Sequence, residues 1–364
     1  MKPSQNRPIV VMAGGTGGHV FPALAVAVEL RRRGETIVWL GTEQGIEARL
    51  VPAAEFAIEW LDVQGIRGKS FIKTLTAPLI LLRACVQAFL ILLRLKPKAV
   101  LGMGGFVSGP GGLASWILRI PLFIHEQNSI IGMTNRWLSR FATRGYFAFN
   151  RAMPKGQKFE CIGNPVRAEF LNLPKPEFRL AGRIGQPLRI LVIGGSLGAA
   201  RLNREIPQAL SVLDVDDRPE VRHQCGPLHL DDCRQAYQSN RVEADISPFI
   251  DDIKSAYLWA DLVICRSGAL TVAELAVVGV ASILVPYPYA VDNHQYWNAV
   301  SLSSVNAAEI MEENDLDADT LASKILHFQQ DRQLIFDLAI KARSMAQPDA
   351  AERLASGILA GVIS

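Results

Sequence analysis

Two largely apolar runs, Ile9–Ala13 and Leu188–Ile193, each stop abruptly at a pair of glycines, Gly14-Gly15 and Gly194-Gly195. Runs this short have the length of strands buried on both faces, and glycines at their ends let the chain turn at once into a helix. The same transition made twice, half a chain apart, predicts the first strand–loop–helix turn of two separate doubly wound sheets. The rest of the sequence keeps the alternation. A helical stretch at Val20–Arg33, stopped by Gly34, is followed by strand-type runs at Thr36–Leu40, Ala99–Leu101, Leu122–Ile124 and Arg144–Phe147. A second series continues from Leu188–Ile193 through Asp261–Cys265 and Ser282–Val285. Strands alternating with helices imply an α/β protein with parallel sheets covered on both faces. The 364 residues suffice for two such domains. The proline- and charge-rich stretch Asn164–Pro187 separates them, which predicts domains over 1–163 and 164–344. Segment 345–364 lies beyond the second pattern, and its helix, about Ala350–Leu359, is free to pack on either domain, the first included.

Charge narrows the partners. Lys plus Arg is 38 and Asp plus Glu is 35, a formal net charge of +3, too balanced for nucleic acid to be the main partner. Five cysteines, odd in number and widely spaced with no C-x-x-C, predict reduced thiols rather than a disulfide frame or a zinc site. The apolar run after Lys2 and Arg7 is broken at Gly14, too short for a signal sequence, so the chain is expected to be unprocessed and cytoplasmic.

The glycine loops carry the chemistry. Gly14-Gly15-Thr16-Gly17-Gly18-His19 allows close backbone approach and presents helix-start N–H groups, which attract anions; a tight turn without a ligand would use the same residues. A dinucleotide fingerprint starting at Gly15 fails at Val20, and Gly194–Gly198 fails it too, which disfavours a nicotinamide enzyme. Gly68-Lys69-Ser70 lacks the earlier glycine of a P-loop, since that position is Val63. Gly102–Pro110, which leads into a helix expected to begin near Pro110, and His125-Glu126-Gln127-Asn128 also follow strands, so they join the first loop at the carboxyl edge of one sheet, where open α/β sheets bind ligands. In the second domain, Ser267 and Gly268 precede a helix starting near Ala269, and Glu274 lies inside it, either as a ribose acceptor or as a solvated helix charge. Asp292-Asn293-His294-Gln295 follows another strand. No spacing suits a metal, and no nucleophile elbow is present.

From Leu75 to Leu95 only Thr76, Arg83, Gln87 and Arg94 are polar, and on a helix they fall on one narrow stripe. This predicts an interfacial helix rather than a span: Arg near a bilayer centre is costly, and Pro78 stands near the start. One flank, Ala77, Leu81, Cys85, Ala88 and Leu92, is expected to pack on the sheet. The other, with Leu75, Leu79, Leu82, Val86 and Leu93, is expected to face lipid, joined by Trp116 and flanked by Lys69, Lys73, Lys96 and Lys98.

In order along the chain stand GGTGGHVFP (14–22), GMGGFVSGPGG (102–112), HEQN (125–128), GNPVR (163–167), GGSLGA (194–199), FIDD (249–252), CRSGALTVAE (265–274) and DNHQYWNA (292–299). Together they resemble glycosyltransferase family 28 of the GT-B superfamily, over nearly the whole chain. The resemblance implies two Rossmann-like domains facing each other across a cleft. It implies inverting transfer of GlcNAc from UDP-GlcNAc to the C4 hydroxyl of MurNAc in lipid I (undecaprenyl-diphosphoryl-MurNAc-pentapeptide), giving lipid II and UDP. The first domain would face the acceptor and the membrane, and the second would bind the donor. By motif, Thr16, Gly17, Gly18, Asn128, Arg167, Ser196, Ile250, Ala269, Leu270, Thr271, Val272, Ala273, Glu274 and Gln295 would form the UDP-GlcNAc site. His19 is the candidate general base and Glu126 its runner-up. No cofactor or metal is implied. The partners would be the two substrates, the anionic cytoplasmic face of the inner membrane, where the protein would sit peripherally, and cell-wall assembly proteins. A sugar-nucleotide 2-epimerase of the same fold and a non-catalytic nucleotide-binding scaffold are the alternatives.

Overall fold

The computed structural model describes residues 7–62, 71–195 and 198–363. The chain divides into two compact units, Met1–Arg167 with Pro348–Ser364, and Ala168–Gln347.

The first unit is built on seven strands: β1 (Ile9–Met12), β2 (Ile37–Gly41), β3 (Ala57–Trp60), β4 (Ala99–Gly102), β5 (Leu122–Glu126), β6 (Arg144–Phe147) and β7 (Phe159–Cys161). They pair in parallel in the order β3-β2-β1-β4-β5-β6-β7. β1 is central, with Ile9 opposite both Ile37 and Ala99. Its residues point alternately to the two faces, and both faces are covered, which is why the run contains no polar residue. Ile9, Val11 and Ala13 pack with Val20, Ala23, Val26 and Leu30 of the helix Gly17–Arg32 and with Leu354, Ala355 and Ile358 of the helix Ala350–Ile363. Val10 and Met12 pack on the other face with Ala88, Leu92 and Ala114.

The second unit holds β8 (Arg189–Ile193), β9 (Glu220–Gln224), β10 (Asp245–Ser247), β11 (Leu262–Cys265), β12 (Ala281–Leu284) and β13 (Glu309–Ile310), parallel in the order β10-β9-β8-β11-β12-β13. Below β11, Asp261 accepts from Arg183 at 2.9 Å, Arg332 at 2.8 Å and the Arg189 N–H at 3.1 Å. Burial works against its charge, but these donors prevail and hold the carboxyl below the usual range. The connecting segment is thereby tied to its sheet.

Two helix starts differ from expectation. The first helix begins at Gly17, not Val20, because Thr16 in extended conformation is its N-cap and the glycines form its first turn. The helix expected near Pro110 begins at Ser108, whose Oγ accepts the Gly104 N–H at 3.1 Å.

The helix Phe71–Leu95 is the crossover between β3 and β4, and its buried line differs from the expected flank. Ala84, Ala88 and Leu92 are buried, whereas Leu81 is exposed and Cys85 only half-buried. The seam runs through alanines because small side chains let the helix approach the sheet closely. The cationic stripe is also corrected. Arg83 pairs with Asp62 at 2.7 Å and Arg94 with Glu59 at 2.6 Å, so both cations are neutralised by carboxylates in and beside the edge strand β3.

Candidate functional site

Both sheets reverse strand order between their first two central strands, β1 beside β4 and β8 beside β11. The crevice at such a switch point is where doubly wound sheets bind ligands. In the first unit it is framed by the loops after β1 and β4. Met103 donates its N–H to the Met12 carbonyl at 2.8 Å. Gly105, at φ +81°, lies so close to Gly14 that a Cβ there would overlap the Gly14 carbonyl. A residue missed in the sequence holds this pair from beneath. The buried Glu47 carboxylate accepts the Gly15 N–H at 3.0 Å, the Thr42 N–H at 3.0 Å and the Thr42 hydroxyl at 2.6 Å. Thr16 and Gly18 are exposed, Gly17 is half-buried, and no side chain caps the helix start they form. Its amides are thus directed at the crevice edge with the positive end of the helix.

His19 is half-buried one residue further on, with Nδ1 2.9 Å from Gln127 Oε1. The HEQN segment closes β5. Glu126 is 2% exposed, and its oxygens accept the Asn128 N–H at 3.1 Å, the Gly132 N–H at 3.0 Å and Asn135 Nδ2 at 2.9 Å. A carboxylate so engaged holds the 126–135 loop, and these surroundings suit a structural role better than proton transfer. Asn128 is half-buried at the same strand end. The Arg167 guanidinium lies over the Phe21 ring, 5.3 Å from its centroid, within the first unit.

In the second unit, Gln224 clasps the Gly195 peptide, accepting its N–H at 3.1 Å and donating to its carbonyl at 3.0 Å. Ser196 lies outside the described residues. Ile250 is half-buried in the turn before the helix Ile253–Trp259, whose N-cap Asp252 accepts the Ser255 N–H. Gly268 is the N-cap of the helix Ala269–Val278 and is itself uncapped by any side chain. Ala269, Leu270 and Thr271 form its first turn. Val272 is buried and its N–H is spent on the Gly268 carbonyl, so it offers a ligand neither side chain nor amide. Ala273 is half-buried. Glu274 is not a solvated helix charge: it is 6% exposed and accepts the Tyr257 hydroxyl at 3.2 Å. Tyr257 was not foreseen, because it comes from a different helix. Gln295 Oε1 accepts the Tyr287 N–H at 3.0 Å, and His294 Nδ1 is pinned to the Val291 carbonyl at 2.8 Å. Among the described residues no three His, Cys, Asp or Glu side chains group as a metal would need.

The first unit also has an apolar exterior. The segment Pro78–Leu95 is long and apolar enough to cross a membrane, yet it is fixed along one side to the sheet. Leu79 is 70% exposed and Leu82 61%, with Val86 and Leu93 also exposed. The side chain of Leu75 is outside the described residues. Trp116, 51% exposed, meets Phe141 at a tilt with ring centroids 4.8 Å apart; exposed Ile117 follows it in sequence, and exposed Trp137 packs on the same Phe141.

Comparison with known proteins agrees with this layout. The family model for the Glycosyltransferase family 28 N-terminal domain matches residues 9–147, and that for its C-terminal domain matches residues 189–354. The chain is 48% identical, over 97% of both sequences, to a Marinobacter nauticus protein named UDP-N-acetylglucosamine–N-acetylmuramyl-(pentapeptide) pyrophosphoryl-undecaprenol N-acetylglucosamine transferase. It is 49% identical to the protein of that name from Alkalilimnicola ehrlichii, over 96% of this chain and 97% of that one. The crystal structure of Acinetobacter baumannii MurG is similar with TM-score 0.82 and 40% identity, covering 97% of this chain and 99% of that one. A UDP-N-acetylglucosamine 2-epimerase, at 13% identity and TM-score 0.67, shares the fold alone. Two Rossmann-like units, both family domains and near-full-length identity lead to one conclusion: the chain belongs to glycosyltransferase family 28.

Proposed function

We propose that the chain transfers GlcNAc from UDP-GlcNAc to the C4 hydroxyl of MurNAc in lipid I, releasing UDP and forming lipid II for peptidoglycan. The observation that carries this reading is the 48% identity, along nearly the whole chain, to a transferase named for those substrates. In the proposed reaction His19 takes the proton of the acceptor hydroxyl, whose oxygen bonds to the anomeric carbon of GlcNAc. The bond from that carbon to the diphosphate breaks, and its electron pair leaves on UDP. Attack opposite the leaving group inverts the centre. Amides at uncapped helix starts, at Gly17–Gly18 and Ala269–Thr271, together with Arg167, offset the charge growing on the diphosphate. The second unit binds the donor, with Glu274, oriented by Tyr257, on the ribose hydroxyls, Ile250 presenting its backbone to uracil and Gln295 reaching the sugar. Ser196, Asn128 and Ala273 complete the donor site.

The acceptor carries a lipid tail, so the sugar lies at a headgroup layer. The exposed leucines of the Phe71–Leu95 helix and Trp116 suit a surface that dips into the cytoplasmic face of the inner membrane. Their ion-paired arginines contribute little net charge, so apolar burial supplies most of the attachment. Labelled UDP-GlcNAc incubated with lipid I tests the reading: label must appear in a lipid product with stoichiometric UDP. Epimerised sugar nucleotide without lipid labelling would support the epimerase instead, and no turnover at all would support the scaffold.

A further inference from the structure

The hydrogen bonds behind His19 can run in only one direction. His125 is wholly buried, and its Nε2 lies 3.0 Å from the Gly163 carbonyl oxygen. A carbonyl only accepts, so this nitrogen carries a proton. Burial pushes the His125 pKa down to about 4, so at neutral pH the ring has that proton alone and Nδ1 is a bare acceptor. Gln127 Nε2 stands 3.1 Å from this Nδ1 and 3.2 Å from the His125 carbonyl. Two acceptors on one side fix which end of the amide faces them, and the Gln127 oxygen must face the other way. That oxygen is 2.9 Å from His19 Nδ1 and can only accept. Gln127 has little freedom there: it is 1% exposed, and its backbone carbonyl accepts from Asn164 Nδ2 at 3.0 Å. The His19 ring is held from a second side. A Cβ on Gly104, which has φ +95°, would come within 2.7 Å of its Nδ1 and Cε1.

We infer that Gln127 is a positioning residue that fixes the Nδ1–H tautomer of His19, leaving the Nε2 lone pair as the one that receives the acceptor's hydroxyl proton. A histidine serves as base only through its unprotonated nitrogen, and the bond made by the other nitrogen decides which that is. The last clause of the inference rests on the base assignment proposed above; the tautomer itself does not.

The test uses the whole protein with ¹⁵N-labelled histidine rings, the His19 signals being identified by their loss in His19→Asn. In its neutral ring form, wild-type His19 should show a protonated Nδ1 and a bare Nε2. Gln127→Leu should move the proton toward Nε2 and lower kcat about 10–100-fold, with KM for UDP-GlcNAc within about twofold of wild type. Gln127→Glu keeps an acceptor and should keep the Nδ1–H signal. A wild-type His19 protonated on Nε2, or a folded Gln127→Leu protein with an unchanged tautomer, would overturn the inference. The wild-type spectrum decides even where a variant fails to fold. Normal turnover in His19→Ala would remove the base assignment alone and leave the tautomer result standing.

Discussion

Gly105 faces the carbonyl oxygen of Gly14 with no room for a Cβ between them. The two loops that frame the first switch point are therefore in backbone contact, and only glycine permits it. Gly105→Ala should destabilise the first unit by roughly 2–4 kcal/mol, combining left-handed strain at φ +81° with overlap. Gly15→Ala, at φ +91° with nothing within 4 Å, should cost only about 1–2 kcal/mol. Urea midpoints measure both, and equal losses would show that the close approach does not matter.

His19→Ala should lower kcat about 10²–10⁴-fold and leave donor affinity nearly unchanged. Glu126→Gln should act differently, because that carboxylate holds a loop: its main loss should be thermal stability. A pure kcat loss in Glu126→Gln, with His19→Ala near normal, would exchange the two roles.

Glu274→Ala should weaken UDP binding by about 1.5–3 kcal/mol, since hydrogen bonds to a charged acceptor are lost. In calorimetry, a 2′-deoxy donor should lose far less additional affinity in the variant than in wild type. Full additivity would mean that Glu274 does not touch that hydroxyl. Tyr257→Phe removes only the orienting bond and should cost less.

Leu79→Glu combined with Leu82→Glu should abolish sedimentation with anionic vesicles while preserving the fold and binding of soluble donor, because both side chains are largely exposed. Leu92→Glu, on the buried side of the same helix, should unfold the unit. Vesicle binding by the double variant at wild-type strength would place the attachment elsewhere.

Two buried histidines make stability depend on acid. Burial lowers His125 to about 4 and His223 to about 3, whereas an unfolded histidine titrates near 6.5. Between those values the unfolded chain binds more protons, so stability is complete above about pH 6.5 and declines as pH falls through the window. Each histidine contributes a slope of about 1.4 kcal/mol per pH unit there. His223→Gln should lower overall stability yet flatten the second unit's decline between pH 6 and 4 by about that amount, read from urea midpoints across pH. An unchanged slope would mean that His223 is already protonated when folded.

The strands and the glycine loops are legible in the sequence because their signals are local: an apolar run, then small residues, then a helix. What the sequence conceals are partners distant along the chain. Arg83 and Arg94 look like a free cationic stripe until β3 brings Asp62 and Glu59 beside them. Glu47 belongs to no telling pattern, and Gln127 stands in HEQN without any sign of its partner His19; each acts on a loop set next to it by sheet order. Glu274 looks solvated by position, and only the packing of Tyr257 shows otherwise. The buried line on the crossover helix follows alanines, which carry little weight in a hydrophobic periodicity.

The helix Ala350–Ile363 supplies Leu354, Ala355 and Ile358 to the core of the first unit, although the whole second unit is made before it. During synthesis the first sheet therefore waits with one apolar groove uncovered until residues 350–363 leave the ribosome, while the second unit already has every residue of its own core. The order of completion on the ribosome is the reverse of the order of translation.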